Sequence, residues 1–244
     1  MTNPPLILLQ DISYRYSGTE NLILNQINIS LKKNQRVGLI GPNGCGKTTL
    51  FHLIMGLLKP QSGTLRYKGT ALEKEKDFRI LRREVGLLFQ DADDQLFSPT
   101  VLEDVAFGPL NLGAAPAEAK YIAQQTLTDL GLIHLEKRIT HHLSGGEKKL
   151  VSLATILAMR PRALLLDEPT NNLDPETQTR LIEIITGLDL AFMIISHDYD
   201  FLVATCEDLY LLDKGHVTPG DTSHLHTHHH AHPHGRHPHK HGDS

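Results

Sequence analysis

Tryptophan is absent from this 244-residue chain, cysteine occurs twice, and aromatic residues make up only 5%. Two cysteines cannot staple so long a chain, so a disulfide scaffold is excluded and a reducing compartment is expected. Long apolar runs are missing too. A membrane span needs roughly 18 or more such residues, and the best candidates, residues 5–9 and 191–195, are strand length. No basic segment or cleavage site opens the chain, so no secretion signal is expected. Positive charge is scarce: 24 Lys and Arg stand against 28 Asp and Glu, a formal charge of −4. That sign argues against electrostatic capture of nucleic acid.

What is present is an ordinary core-forming composition, 40% hydrophobic and 21% charged, which rules out disorder throughout. The length suits one large domain or a domain with a subdomain. Histidine is the anomaly. There are 16, and ten lie after Asp221, so the excess is local.

Between Leu6 and Leu31 apolar residues fall mostly at period two, predicting half-buried antiparallel strands. Residues 36–40 form a short apolar run ending in a glycine-rich loop. A helix follows, with Leu50, Leu53, Ile54 and Leu57 on one face and Pro60 beyond its end. Residues 64–67 and 85–89 read as strands. Pro116 opens a helical stretch that Gly131 closes, and a second helix is predicted from Ser144 towards Pro161. Strands then return at 163–167, 192–196 and 209–213, with a helix over 175–187. Strands alternating with helices imply a largely parallel, two-sided sheet. The expected architecture is an α/β core with an antiparallel β subdomain at the front and a helical insertion over about 91–160. Residues 1–220 form this unit, and 221–244, rich in His, Pro, Gly and Thr, read as a disordered tail.

Gly41-Pro42-Asn43-Gly44-Cys45-Gly46-Lys47-Thr48 fits G-x-x-x-x-G-K-[ST] between a strand and a helix. Glycines let backbone N–H groups wrap phosphates, and the helix start adds positive potential. Lys47 would reach the β/γ-phosphates and the Thr48 hydroxyl would ligate Mg²⁺. Asp167 and Glu168 end an apolar strand, where one carboxylate can face Mg²⁺ and the other can polarise a water. Ser144 and Glu147 form a capping box, and Gly145 and Gly146 in the same turn would expose N–H donors to a phosphate. Asp174 before Pro175 is an ordinary N-cap or a site residue. His197, after the strand ending at Ser196, is a structural hydrogen-bonder or a γ-phosphate sensor.

In this order the motifs resemble those of ABC-type ATPase subunits over about residues 6–217. The resemblance implies a P-loop NTPase with a RecA-like core, and it assigns Gly41 to Thr48, with Thr49 beside them, to the Walker A loop. Tyr16 falls where the family stacks an aromatic on adenine, although it also pairs with Tyr14 in an aromatic strand. Gln90 matches the Q-loop glutamine that touches Mg²⁺ and reports on the membrane partner. Leu143-Ser144-Gly145-Gly146-Glu147 matches the signature motif, with Glu where Gln is commoner. Asp167 and Glu168 match Walker B and the catalytic base, residues 171–174 the D-loop, and His197 the switch histidine. One departure stands out. Many members carry Arg three residues after the signature, and this chain has Leu150 there: either Lys149 supplies the charge or the contact is absent.

The family mechanism implies two subunits, identical or paralogous, sandwiching two ATPs head to tail, each Walker A facing the other's signature. Residues 90–113 further resemble energy-coupling-factor importers, particularly nickel/cobalt ATPases. That implies a transmembrane scaffold subunit, a membrane substrate-binding subunit, and a peripheral location on the cytoplasmic face. Residues 91–97 would meet the scaffold. His224, His226, His228, His229, His230, His232, His234, His237, His239 and His241 supply imidazoles suited to Ni²⁺ or Co²⁺, although affinity order alone does not select nickel. The alternatives are an importer ATPase for another substrate, such as a vitamin, and a non-transport ABC ATPase, which usually carries tandem cassettes or coiled-coil inserts.

Overall fold

The computed structural model describes residues 4–220; the tail histidines named above lie outside them. In chain order the elements are β1 Ile7–Tyr14, β2 Leu24–Leu31, β3 Arg36–Ile40, α1 Lys47–Ile54, β4 Ser62–Tyr67, β5 Thr70–Ala71, α2 Glu75–Glu84 and β6 Val85–Leu88. There follow α3 Val101–Asn111, α4 Pro116–Asp129, α5 Gly145–Leu157, β7 Ala163–Asp167, α6 Pro175–Gly187, β8 Ala191–Ile195, α7 Tyr199–Thr205, β9 Asp208–Asp213 and β10 His216–Pro219.

Two sheets organise them. β2-β1-β4-β5 is antiparallel, and the six-stranded sheet runs β10-β9-β3-β8-β7-β6, parallel except for the β10–β9 pair. The alternating apolar residues of β1 and β2 bury one face of the first sheet, with Leu9, Ile12, Leu24 and Ile27 at 1% exposure or less. β7 and β8 are buried on both faces, as central parallel strands must be. Alternate residues of β7 therefore feed different cores. Leu165 packs with β1, β2 and α1, whereas Leu164 and Leu166 pack with α3, α4 and α5. The register Asp167–Ile195–Leu39 across β7, β8 and β3 places Asp167 and Glu168 at the sheet's carboxyl edge, level with the loop after β3.

The helices joining β6 to β7 pack mainly on one another: α3 against α4 and α5. The strand read over 85–89 stops at Leu88, and the one read from 192 starts at Ala191. The helix read from Ser144 begins at Gly145, with Ser144 as its cap.

Candidate nucleotide site

The loop after β3 turns on glycines for steric reasons. Gly41 has φ 153°, and a Cβ there would run into the Leu212 carbonyl. Gly44 has φ 78° with open space beside it, so its backbone faces the cavity without a side chain in the way. Lys47 is 7% exposed, and its Nζ donates to the carbonyls of Gly41 at 2.8 Å and Pro42 at 3.1 Å. His197 Nε2 lies 3.5 Å from the same ammonium.

These residues converge on a cavity of about 610 Å³ lined by Tyr16, Asn43, Gly44, Gly46, Lys47, Thr48, Thr49, Gln90, Asp167, Glu168, Asn171 and His197. Tyr16 pairs with Tyr14 and also reaches the cavity wall. Its ring packs edge-on against Tyr14 at 5.2 Å, and its hydroxyl lies 2.8 Å from Thr49 Oγ1 at the cavity wall. Gly41, Pro42 and Cys45 build the loop from behind and do not line the cavity.

Asp167 is 3% exposed, and its buried Oδ1 has no hydrogen-bond partner. An orphaned carboxylate oxygen is costly unless a cation completes it. Thr48 and Gln90 line the same cavity, so the donor set is all oxygen and suits Mg²⁺. Burial pushes the Asp167 carboxyl up, while Thr48, His52, Lys47 and Lys149 pull it down. Burial also raises Glu168, opposed by the His197 charge, the His197 backbone N–H and Lys47. Glu168 Oε2 accepts from His197 N–H at 3.3 Å, and Oε1 lies 3.2 Å from His197 Nε2. The Glu168 backbone sits at φ 45°, a strained setting for a non-glycine residue.

The signature segment stands apart from this cavity. Ser144 and Glu147 cap α5 reciprocally, Glu147 Oε2 accepting from Ser144 N–H at 2.8 Å, which lowers the Glu147 pKa. Gly145 reaches a neighbouring cavity shared with Thr48, Gln90, Asp167 and Lys149; Ser144, Gly146 and Glu147 line neither. Asp174 spends its carboxylate on α6, accepting from Glu176 N–H, Thr177 N–H and Thr177 Oγ1.

Sequence reasoning passed over His52, which lines the neighbouring cavity with Thr48. Its position four residues after Thr48 on α1, hence on the same helix face, was the available signal. It also left Lys149 undecided. Leu150 is 4% exposed in the apolar core of the helical region, and Lys149 turns the other way, onto the Gln90 loop.

A glycine-wrapped lysine loop at the carboxyl edge of a parallel sheet, facing two desolvated acids, defines a P-loop nucleotide-binding protein. The ABC transporter family model matches residues 24–171. A relative from Nitratidesulfovibrio vulgaris, provisionally named an ABC transporter ATP-binding protein, is 52% identical over 92% of this chain and 83% of its own. The energy-coupling factor transporter ATP-binding protein EcfA of Methanothermobacter thermautotrophicus is 46% identical over 86% of this chain and 68% of its own. The solved structure of cbiO1 from Clostridium perfringens, described as part of the ABC transporter complex cbiONQ, superposes with a TM-score of 0.78. It is 34% identical, over 88% of this chain and 87% of that one. The chain belongs to the ABC transporter family as an ATP-binding subunit of the energy-coupling-factor type.

Proposed function

We propose that this chain hydrolyses ATP to drive a membrane importer, with nickel or cobalt as the cargo. The observation that carries hydrolysis is the pair of desolvated acids facing the lysine loop: Asp167 with an oxygen no protein donor satisfies, and Glu168 held by His197. In this reading the loop's backbone N–H groups and Lys47 bind the phosphates, and Thr48, Gln90 and Asp167 hold Mg²⁺. Tyr16 and Thr49 form the wall where the base would stack. The bound ion supplies charge neutralisation on the phosphate oxygens. Glu168 accepts the proton of a water attacking in line with the γ-phosphorus, and His197 fixes its carboxylate. Ser144, Gly145, Gly146, Glu147 and Asp174 then serve the cavity of a second subunit, in keeping with their standing away from this one.

A groove of about 950 Å³ opens beside α2, α3 and the loop after β6. Ile80, Phe97 and Phe107 are 58%, 62% and 44% exposed there, and Lys76, Arg79 and Arg83 stand along the α2 side. Exposed aromatics in a concave site favour a partner, and the occupant is a cytoplasmic segment of the transmembrane scaffold subunit. Among the described residues no helix is long and apolar enough to cross a membrane. The likeness to energy-coupling-factor ATP-binding subunits supports peripheral attachment to the cytoplasmic face.

The cargo rests on the ten imidazoles of residues 224–241. Uptake of ⁶³Ni²⁺ and ⁵⁷Co²⁺ is measured in cells carrying the wild type, Lys47→Ala, or a deletion of 221–244. Metal uptake lost in Lys47→Ala supports the reading. Undiminished uptake refutes it, and vitamin uptake in place of metal uptake selects the alternative cargo. Titration calorimetry with Ni²⁺ should show strongly reduced binding in the truncated subunit while ATP hydrolysis persists.

A further inference from the structure

Lys149 lies on α5, two residues beyond the signature, and is 3% exposed. A lysine so deep persists only when its ammonium is paired. Its Nζ donates to the Gln90 carbonyl at 2.6 Å and to the Phe89 carbonyl at 3.2 Å. Those residues span the point where β6 ends and the Gln90 loop begins. Burial pushes the Lys149 pKa down, opposed by the charges of Asp91, Asp167 and Glu168, and Asp91 and Asp167 line one cavity with it.

Two more side chains cross the same gap. Gln95 donates to the Ser152 carbonyl at 2.7 Å and to Thr155 Oγ1 at 2.9 Å, and its Oε1 accepts from the Phe89 N–H at 3.3 Å. Lys148 pairs with Asp93 at 2.6 Å, but Asp93 is 64% exposed and water screens that pair. The Lys149 bonds are part-buried and charge-assisted, which makes them the strongest of the three ties.

The loop so held has two faces. Gln90 lines the nucleotide cavity, while Phe89, Gln95 and Phe97 line the large groove. We propose that Lys149 is the positioning residue for Gln90: it pins the Phe89 and Gln90 carbonyls to α5, sets where the Gln90 side chain enters the cavity, and makes loop and signature helix move together. Leu150 serves the core in the same turn, so the charge absent at that position is delivered one residue earlier, onto the loop backbone. The inference rests on the hydrolytic reading above and adds a residue to it.

The test is a double-mutant cycle in the full-length chain, with ATP turnover measured against both ATP and Mg²⁺. Lys149→Met is expected to lower kcat about tenfold, to leave KM for ATP within about twofold, and to raise the Mg²⁺ concentration giving half-maximal rate. Lys149→Met with Gln90→Ala should be no slower than Gln90→Ala alone, because the lysine acts through the glutamine. Fully additive losses overturn the proposal, as does a Lys149→Met enzyme with wild-type kcat and Mg²⁺ dependence. A silent Gln90→Ala overturns it too. If Lys149→Met does not fold, Lys149→Gln enters the same cycle and is read identically. Glu168→Gln run alongside separates the two ideas: wild-type turnover in that variant defeats the hydrolytic reading itself, whereas its loss beside additive Lys149 and Gln90 effects defeats only the positioning role.

Discussion

The nucleotide edge and the groove flank the same loop but are built by opposite means. At the edge, charged groups are pulled out of water and left incompletely paired. Asp167 keeps an oxygen without a donor, Glu168 holds a strained backbone, and Lys47 is nearly buried. In the groove, apolar groups are pushed into water, with Phe97 and Phe107 packed edge-on at 4.7 Å and still largely exposed. Each region is unfavourable in isolation, and in the proposed function each would be improved by something outside the chain: a cation and phosphates at the edge, an apolar segment in the groove. A site therefore shows itself as local departure from the burial rules that the rest of the fold obeys.

The largest expected effect tests the edge. Glu168→Gln keeps the shape and removes the proton acceptor, so ATP turnover should fall by roughly 10²–10⁴-fold with ATP binding retained, as measured by steady-state phosphate release and equilibrium nucleotide titration. Rapid turnover in that variant would reduce the strained, desolvated glutamate to a structural oddity. The groove comes next. Phe97→Asp or Phe107→Asp should weaken co-purification with the membrane scaffold by about 2 kcal/mol, the scale of an interface anchor, and reduce cargo uptake by more than ATP turnover. Equal losses in uptake and turnover would mean that the two faces of the loop are not separable in the way their chemistry suggests.

The sequence was most readable where backbone chemistry dictates residue type. The glycines at 41, 44 and 46, the capping box at Ser144 and Glu147, and the doubly apolar β7 all follow from local rules and stand where those rules put them. α2 escaped because most of Glu75–Glu84 is charged and only Leu81 is fully buried, so the periodic signal was thin. α3 carries a local signal in its Thr100 and Glu103 capping box. The orientation of Lys149 and the shape of the groove were legible only in part, since the sequence pointed to Lys149 and to residues 91–97 without placing them. Whether a lysine faces solvent or a loop carbonyl, and whether a phenylalanine is covered, depends on tertiary packing between segments that sequence spacing does not relate.

The smallest effect probes stability and separates the two regions most directly. Asp167→Asn preserves volume while removing a buried charge whose raised pKa reports the cost of ionising it there. In the metal-free chain the substitution should stabilise the fold and raise Tm, read by thermal unfolding in EDTA. The sign follows from linkage. A carboxyl whose folded-state pKa is raised costs stability progressively as pH climbs above its unfolded-state value, and asparagine removes this penalty at neutral pH. Mg²⁺ with ATP should reverse the ranking, because the wild type gains binding energy that the variant cannot match. Phe97→Asp in the groove should leave Tm nearly unchanged under both conditions, since the ring is 62% exposed before it is replaced. If Asp167→Asn instead destabilised the metal-free chain, the carboxylate would be a satisfied structural group, and the edge would no longer differ in kind from an ordinary polar turn.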